Sequence, residues 1–384
     1  MSTAHPLRKF MAPEFVFGEG ASLLAARYMR NFGARHCLLV SDAGVMAHGH
    51  AGRVIATLTE SDIQHTLFTD ISPNPRDEQV MRGAALYKSA GCDAIVVVGG
   101  GSPMDCAKGI GIVAANGGHI LDYEGVDAIP RPMPPLICIP TTSGSAADVS
   151  QFAIITDTTR KLKIAIVSKA AVPDVSLIDP ATTVTMGPTL TAATGLDALT
   201  HAIEAYASNA NSPITDMFAL EAIRLAARHL PEAMEHPENM EARGGMALAS
   251  LNAGLAFSNA ILGAVHAMAH SLGGLLDLPH GECNAILLPH VVRRNYDAAP
   301  ERYKAVAAAL GLAPLEGDAL RDALFNTLVD LRKRVGFTRT LRDFGVTREH
   351  ISQLAALAVQ DPCLATNPAA LDAINIEELY AEAL

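Results

Sequence analysis

Asp93-Ala-Ile-Val-Val-Val-Gly-Gly-Gly-Ser-Pro-Met-Asp105 is the stretch from which the fold can be read. Residues 94–98 are apolar without a break, and Ile95, Val96, Val97 and Val98 are β-branched. A run this short, closed by three glycines, reads as a strand buried on both faces. Residues 102–115 then carry helical character. The spacing puts Ser102 at the N-cap, Pro103 at the first helical position and Asp105 at the third, an S-x-x-D capping box. Glycine lets the backbone approach a ligand closely, and the free N–H groups of a helix start attract an anion. Gly99, Gly100, Gly101 and Ser102 are therefore candidates for holding a phosphate group. The run is not G-x-G-x-x-G, so it lacks the common dinucleotide fingerprint.

The same alternation extends outward in both directions. Strands are expected at residues 15–17, 36–40, 64–69 and 136–139, with helical segments at 22–32 and 76–90. Strands alternating with helices imply βαβ units and a mostly parallel sheet. Two strand ends carry polar candidates. Asp42 follows residues 36–40, where a carboxylate can accept from a ribose diol and repel a 2′-phosphate; taken alone, it reads better as a turn residue before Gly44. Thr141 and Thr142 follow residues 136–139 in a hydroxyl-rich loop. Residues 153–155, 164–167 and 175–178 read as short strands, the first two joined by a hairpin turn at 157–160. From Pro188 on, the segments are rich in Ala, Leu and Met with helical periodicity. The expected organisation is an α/β domain, Rossmann-like, at 1–180 and an all-helical domain at 181–384.

The helical half holds the second constellation. Asp197 and His201 are four apart, so a helix presents them on one face. His266 and His270 repeat that spacing in the most apolar part of the chain, and His280 follows ten residues later after Gly273-Gly274. A carboxylate with imidazoles suits a divalent ion, and few polar groups tolerate so apolar a setting unless paired or ligating. The bland reading of each residue is a hydrogen-bonded core histidine or a helix ion pair. Three histidines within fifteen residues, with an upstream D-x-x-x-H, favour metal. Spacing does not say which of the three histidines stands outside the set.

Composition narrows the function classes. The net charge is −11 and charged residues make up 18% of the chain, which argues against nucleic acid or an anionic membrane as partner. Residues 247–276 are apolar but contain Asn252, Ser258, Asn259, His266 and His270, a load that fits a buried helix better than a membrane span. Met1 to Phe10 carries Arg8 and Lys9 without a following apolar run, so no secretory leader is expected there. Cys37, Cys92, Cys106, Cys138, Cys283 and Cys363 contain no C-x-x-C pair. They read as thiols of a reducing, cytoplasmic compartment.

Taken together, these motifs resemble the iron-containing (group III) alcohol dehydrogenases, which share the dehydroquinate synthase-like fold. The resemblance runs from Phe17-Gly-Glu-Gly20 to Asp361-Pro-Cys-Leu-Ala-Thr-Asn-Pro368. Its most specific parts are Gly195-Leu-Asp-Ala-Leu-Thr-His-Ala-Ile-Glu204 and His266-x-x-x-His270 with Pro279-His280-Gly281. It implies that Asp197, His201, His266 and His280 ligate one ion, ferrous iron in many relatives and zinc in some. It implies that His270 is a catalytic non-ligand near the nicotinamide. NAD is the implied cofactor, with Gly99, Gly100, Gly101, Ser102 and Asp105 at the pyrophosphate turn. Asp42 would face the adenosine ribose, Thr141 and Thr142 the adenine and phosphate side, and Lys163 the cofactor ribose. The chain departs from the usual pattern at residues 143–148, Ser-Gly-Ser-Ala-Ala-Asp, and has Gln151 where many relatives have Asn.

The implied activity is NAD(H)-linked oxidation of small primary alcohols or diols, or the reverse aldehyde reduction, in the cleft between the halves. A homodimer or larger assembly is the family habit. Alternatives are a glycerol dehydrogenase-like polyol oxidoreductase, a dehydroquinate synthase-like lyase and a non-catalytic nucleotide-binding protein. The lyase handles an anionic substrate, and no Lys or Arg lies within the Asp197–Glu204 or His266–His280 segments to receive it.

Overall fold

The computed structural model describes residues 7–384. Residues 1–6, part of the segment read above for a leader, lie outside the described residues. The strands are β1 (Glu14–Phe17), β2 (His36–Val40), β3 (Gln64–Phe68), β4 (Ala94–Gly99), β5 (Gly125–Val126), β6 (Leu136–Pro140), β7 (Phe152–Asp157), β8 (Leu162–Val167) and β9 (Val175–Ile178). Five helices accompany them: α1 (Ala25–Asn31), α2 (Ala43–Ala47), α3 (His50–Glu60), α4 (Asp77–Ala90) and α5 (Gly101–Asn116).

The main sheet has the order β1-β9-β6-β4-β2-β3, and all its pairs are parallel. Every residue of β4 is buried, as the unbroken apolar run requires. Val96 and Val98 pack with α1 and α3 on one face, and Ile95 and Val97 with α4 and α5 on the other. The chain runs outward from β2 to β3 and returns to the far side of β2 as β4. Strand order therefore reverses between β2 and β4. The crevice at their carboxyl ends is where open α/β sheets bind ligands.

A second, three-stranded sheet has the order β5-β8-β7, with β7 and β8 antiparallel. Its hairpin is the expected one: Asp157 accepts from the backbone N–H groups of Thr159 and Arg160, each at 2.8 Å. β9, grouped with these short strands by its position in the sequence, instead joins the main sheet beside β6.

The remaining helices are α6 (Pro188–Ala207), α7 (Pro213–Glu235), α8 (Met240–Ala260), α9 (Ala264–Leu276), α10 (His280–Asn295), α11 (Pro300–Ala309), α12 (Gly317–Arg334), α13 (Arg348–Ala358) and α14 (Ala373–Ala383). They share one apolar core. The apolar stretch at 247–276 is not one buried helix, as expected, but two: α8 and α9 meet at a 98° bend. Ile261 makes the corner with φ 61°, outside helical geometry. Among the described residues, no single helix is long and apolar enough to cross a membrane. All six cysteines are free and buried.

Candidate active site

Asp197 and His201 project from adjacent turns of α6, His266 from the first turn of α9, and His280 opens α10. These four converge. One ligand atom from each lies within 4.8 Å of all the others. Asp197 Oδ1 is 3.8 Å from both His266 Nε2 and His280 Nε2, and Asp197 Oδ2 is 3.9 Å from His201 Nδ1. Burial pushes His201, His266 and His280 below the usual histidine range, so each ring is neutral and offers a lone pair.

This donor set fits a divalent cation. The Asn284 side-chain NH2 points at Asp197 Oδ1 (2.7 Å), His266 Nε2 (3.1 Å) and His280 Nε2 (3.2 Å). An amide has two hydrogens for these three acceptors, so the lone pairs outnumber their donors. His201 Nδ1 and His280 Nδ1 are buried without a partner among the described residues. Three imidazoles and one carboxylate match iron or zinc chemistry.

Two carboxylates absent from the candidate residues support the cluster. Glu204, one turn beyond His201, accepts from His266 Nδ1 at 2.5 Å and from the Val265 backbone N–H at 2.7 Å. Burial pushes its carboxyl up to about 7, against the pull of the Val265 N–H and of His201. Fixing Nδ1–H in this way turns His266 Nε2 toward the cluster, the usual arrangement behind a metal-binding histidine. Asp361 accepts from His270 Nδ1 at 2.8 Å. Glu204 stood in the quoted motif and Asp361 in the quoted tail, but nothing in their spacing points to these partners. Asn284 had a weak signal, since it shares a helix face with His280.

The nucleotide candidates sit at the strand-order reversal. The glycine turn ends β4, Asp42 ends neighbouring β2, and Thr141 ends neighbouring β6, where its N–H bonds the Gly99 carbonyl at 3.0 Å. A methyl group on Gly100 would come 3.2 Å from Thr142, and one on Gly101 2.9 Å from Ser145. The turn is thus a close-walled cradle at the start of α5, which suits a pyrophosphate.

The capping-box reading of Ser102 and Asp105 does not hold. α5 begins at Gly101 with Gly100 as N-cap, and no side chain caps it. Two glycines let the helix start earlier and leave its first N–H groups to a ligand. Burial pushes the Asp105 carboxyl up to about 6, against the pull of Lys108, the Ile154 backbone, Lys163 and His270. Asp42 caps α2 by accepting from Val45 N–H at 2.9 Å.

Lys163 links the two halves. A methyl group on Gly273 of α9 would come within 2.9 Å of its ammonium. Burial lowers its pKa, while Cys283, Asp105 and Asp197 pull it back up. A basic side chain from the α/β half, outside the Asp197–Glu204 and His266–His280 segments, thus packs against α9. Beyond the divergent loop, the Gln151 backbone N–H bonds Ser258 Oγ at 3.1 Å and its side chain bonds the Ser258 carbonyl, so Gln151 is committed to α8.

Known proteins place this geometry in a family. The iron-containing alcohol dehydrogenase profile matches residues 12–180, and the C-terminal profile of the Fe-containing alcohol dehydrogenase family matches residues 191–384. Alcohol dehydrogenase 4 of Schizosaccharomyces pombe is 43% identical over 370 residues, covering 96% of this chain and 87% of that protein. The NAD-dependent methanol dehydrogenase of Bacillus methanolicus is 38% identical, covering 98% of this chain and 99% of that protein. A crystal structure of a 1,3-propanediol oxidoreductase superposes with a TM-score of 0.96 at 39% identity, over 99% of this chain and all of that one. With both halves matched and their site residues brought together, the chain belongs to the iron-containing alcohol dehydrogenase family.

Proposed function

We propose that this enzyme is a metal-dependent, NAD(H)-linked alcohol dehydrogenase and aldehyde reductase acting on small primary alcohols or diols. Its site is the cleft between residues 1–180 and 181–384. The observation that carries the reading is the convergence of Asp197, His201, His266 and His280 beside a glycine cradle that suits a pyrophosphate. The substrate class rests on relatives named for alcohol, methanol and 1,3-propanediol.

In this reading the four ligands hold one divalent ion, iron by family, and Gly99, Gly100, Gly101 and Ser102 receive the NAD pyrophosphate. When bound, the ion supplies Lewis acidity toward the alcohol oxygen and NAD supplies the hydride acceptor. Asp42 faces the ribose and disfavours a 2′-phosphate. Thr141 and Thr142 line the adenine and phosphate side. Lys163 and Asp105 stand on the cofactor side of the cleft, where their fields reach the helical half. Glu204 orients His266. His270, buried and bonded through Nδ1, keeps Nε2 free to take the alcohol proton and pass it toward solvent. We also read the enzyme as a homodimer or larger homo-oligomer in the cytoplasm. Exposed Phe15 and Phe17 on the edge strand β1 and six unpaired thiols support that reading.

His266→Ala tests the proposal. It is expected to lose its metal and about a thousandfold or more in turnover, the scale of a lost Lewis acid. Full NAD-dependent alcohol oxidation by a metal-free His266→Ala enzyme would sink it.

A further inference from the structure

His266 and His270 lie one turn apart on α9, yet the proposed function gives one to the metal and the other to the proton. Helical spacing offers no reason, since an i,i+4 pair on one face is suited to chelate together. The difference lies in what holds Nδ1 of each ring. His266 Nδ1 is held by Glu204 of α6, and its Nε2 enters the cluster. His270 Nδ1 is held by Asp361, which comes from a turn between α13 and α14.

That turn is a strap pinned along α9. The Asn367 side-chain carbonyl accepts from Ala264 N–H at 3.1 Å, and Thr366 Oγ1 donates to the Leu262 carbonyl at 2.7 Å. At the other end Asp361 is fixed by the Cys363 backbone N–H, which donates to Oδ1 at 2.8 Å, leaving Oδ2 for His270. The carboxylate is buried, so its position is set by the strap and not by solvent. The His270 ring lies 5.3 Å, centroid to centroid, from the His280 ring and nearly parallel to it. The ring therefore borders the donor set, with the His266 ring 6.0 Å away.

We propose that Asp361 is a positioning residue that withholds His270 from the metal and keeps its Nε2 free as the proton-accepting atom. Two carboxylates from different elements thereby sort two equivalent histidines into two roles. The inference rests on the metal and alcohol dehydrogenase reading given above.

The test uses full-length enzyme loaded with Co2+, whose visible absorption reports its ligands. The parent is expected to bind one Co2+ and to oxidise 1,3-propanediol with NAD. Asp361→Ala is expected to keep stoichiometric Co2+ with an altered visible spectrum as His270 joins the set. The double variant Asp361→Ala/His270→Ala is expected to return to the parental spectrum. Asp361→Asn keeps the volume and the cap on Cys363 but turns an amide toward His270. It is expected to lose about a hundredfold in kcat, the scale of a lost general acid–base group, with KM for NAD and alcohol within about threefold. If the Ala variant does not fold, the Asn variant decides by its kcat and KM split. A parental Co2+ spectrum in Asp361→Ala, or parental kcat in Asp361→Asn, overturns the inference while leaving the metal reading intact. A parent that takes up no Co2+ overturns both.

Discussion

Glu204 shares α6 with Asp197 and His201, yet its working partner is His266, 62 residues away in the sequence. Its two oxygens divide the labour, one orienting the imidazole and one meeting the Val265 N–H at the start of α9. Glu204→Gln keeps the shape but leaves a single acceptor for two donors. Metal affinity is expected to fall about 10–100-fold, as for other residues behind metal ligands. Competition with a chromogenic chelator would measure it, and an affinity equal to the parent's would count against the role. At this scale the sequence was legible where spacing is local. The Asp197–His201 and His266–His270 pairs announced themselves because four residues is one helical turn. Asp361 did not, because its partner lies 91 residues away and only tertiary packing joins them, and Asn284 showed only its helical spacing to His280, since its Asp197 partner lies 87 residues away. For the same reason spacing alone could not choose which histidine stays off the metal.

The β4–turn–α5 element was the most legible part of the chain, since a buried strand and a glycine run need no tertiary information. The error there was one of phase. The spacing predicts a capping box where two glycines start the helix earlier, so a serviceable local signal loses to backbone freedom. The consequence is testable on the turn itself. Gly101→Ala puts a methyl 2.9 Å from Ser145 Cβ, closer than carbon atoms pack, and narrows the cradle. KM for NAD is expected to rise about tenfold or more, a loss of roughly 1.4 kcal/mol of binding, with kcat at saturating NAD nearly unchanged. A KM for NAD equal to the parent's would show that the turn does not hold the cofactor. The α8–α9 corner was illegible for the opposite reason. Apolar residues continue through it, and its bend is enforced at the start of α9 by Glu204 and Asn367, both distant in sequence.

For the whole molecule, the change from alternating strands and helices to helices alone was readable, because hydrophobic period changes with it. How the halves face each other was not, since Lys163 packs against Gly273 of α9 from a segment with no shared pattern. The protein buries ionisable groups in low dielectric at the candidate metal cluster and elsewhere, which makes stability depend on pH in a definite direction. Burial lowers the pKa of His50, His201, His229, His266, His280 and His290 in the metal-free protein. As pH falls below the ordinary histidine value, the unfolded chain takes up protons that these folded histidines refuse. Their stabilisation is therefore complete above about pH 6.5 and is lost progressively below it. Glu204, raised to about 7, and Asp105, raised to about 6, act in the opposite sense, because the folded state holds protons that the unfolded chain has released. Asp148 and Asp174, which burial also raises, act with them, and six histidines against four carboxylates leave the histidines ahead between pH 6.5 and 5. Chelator-treated protein is accordingly expected to melt at a lower temperature at pH 5.5 than at pH 7.5, and His280→Gln is expected to show a shallower decline. Metal adds to the slope, since it binds neutral imidazoles in the native state alone. Loaded protein should therefore melt well above the chelated form at pH 7.5 and converge on it as acid releases the ion. Equal melting temperatures at pH 5.5 and 7.5 for the chelated protein would mean that the buried histidines do not govern its acid stability.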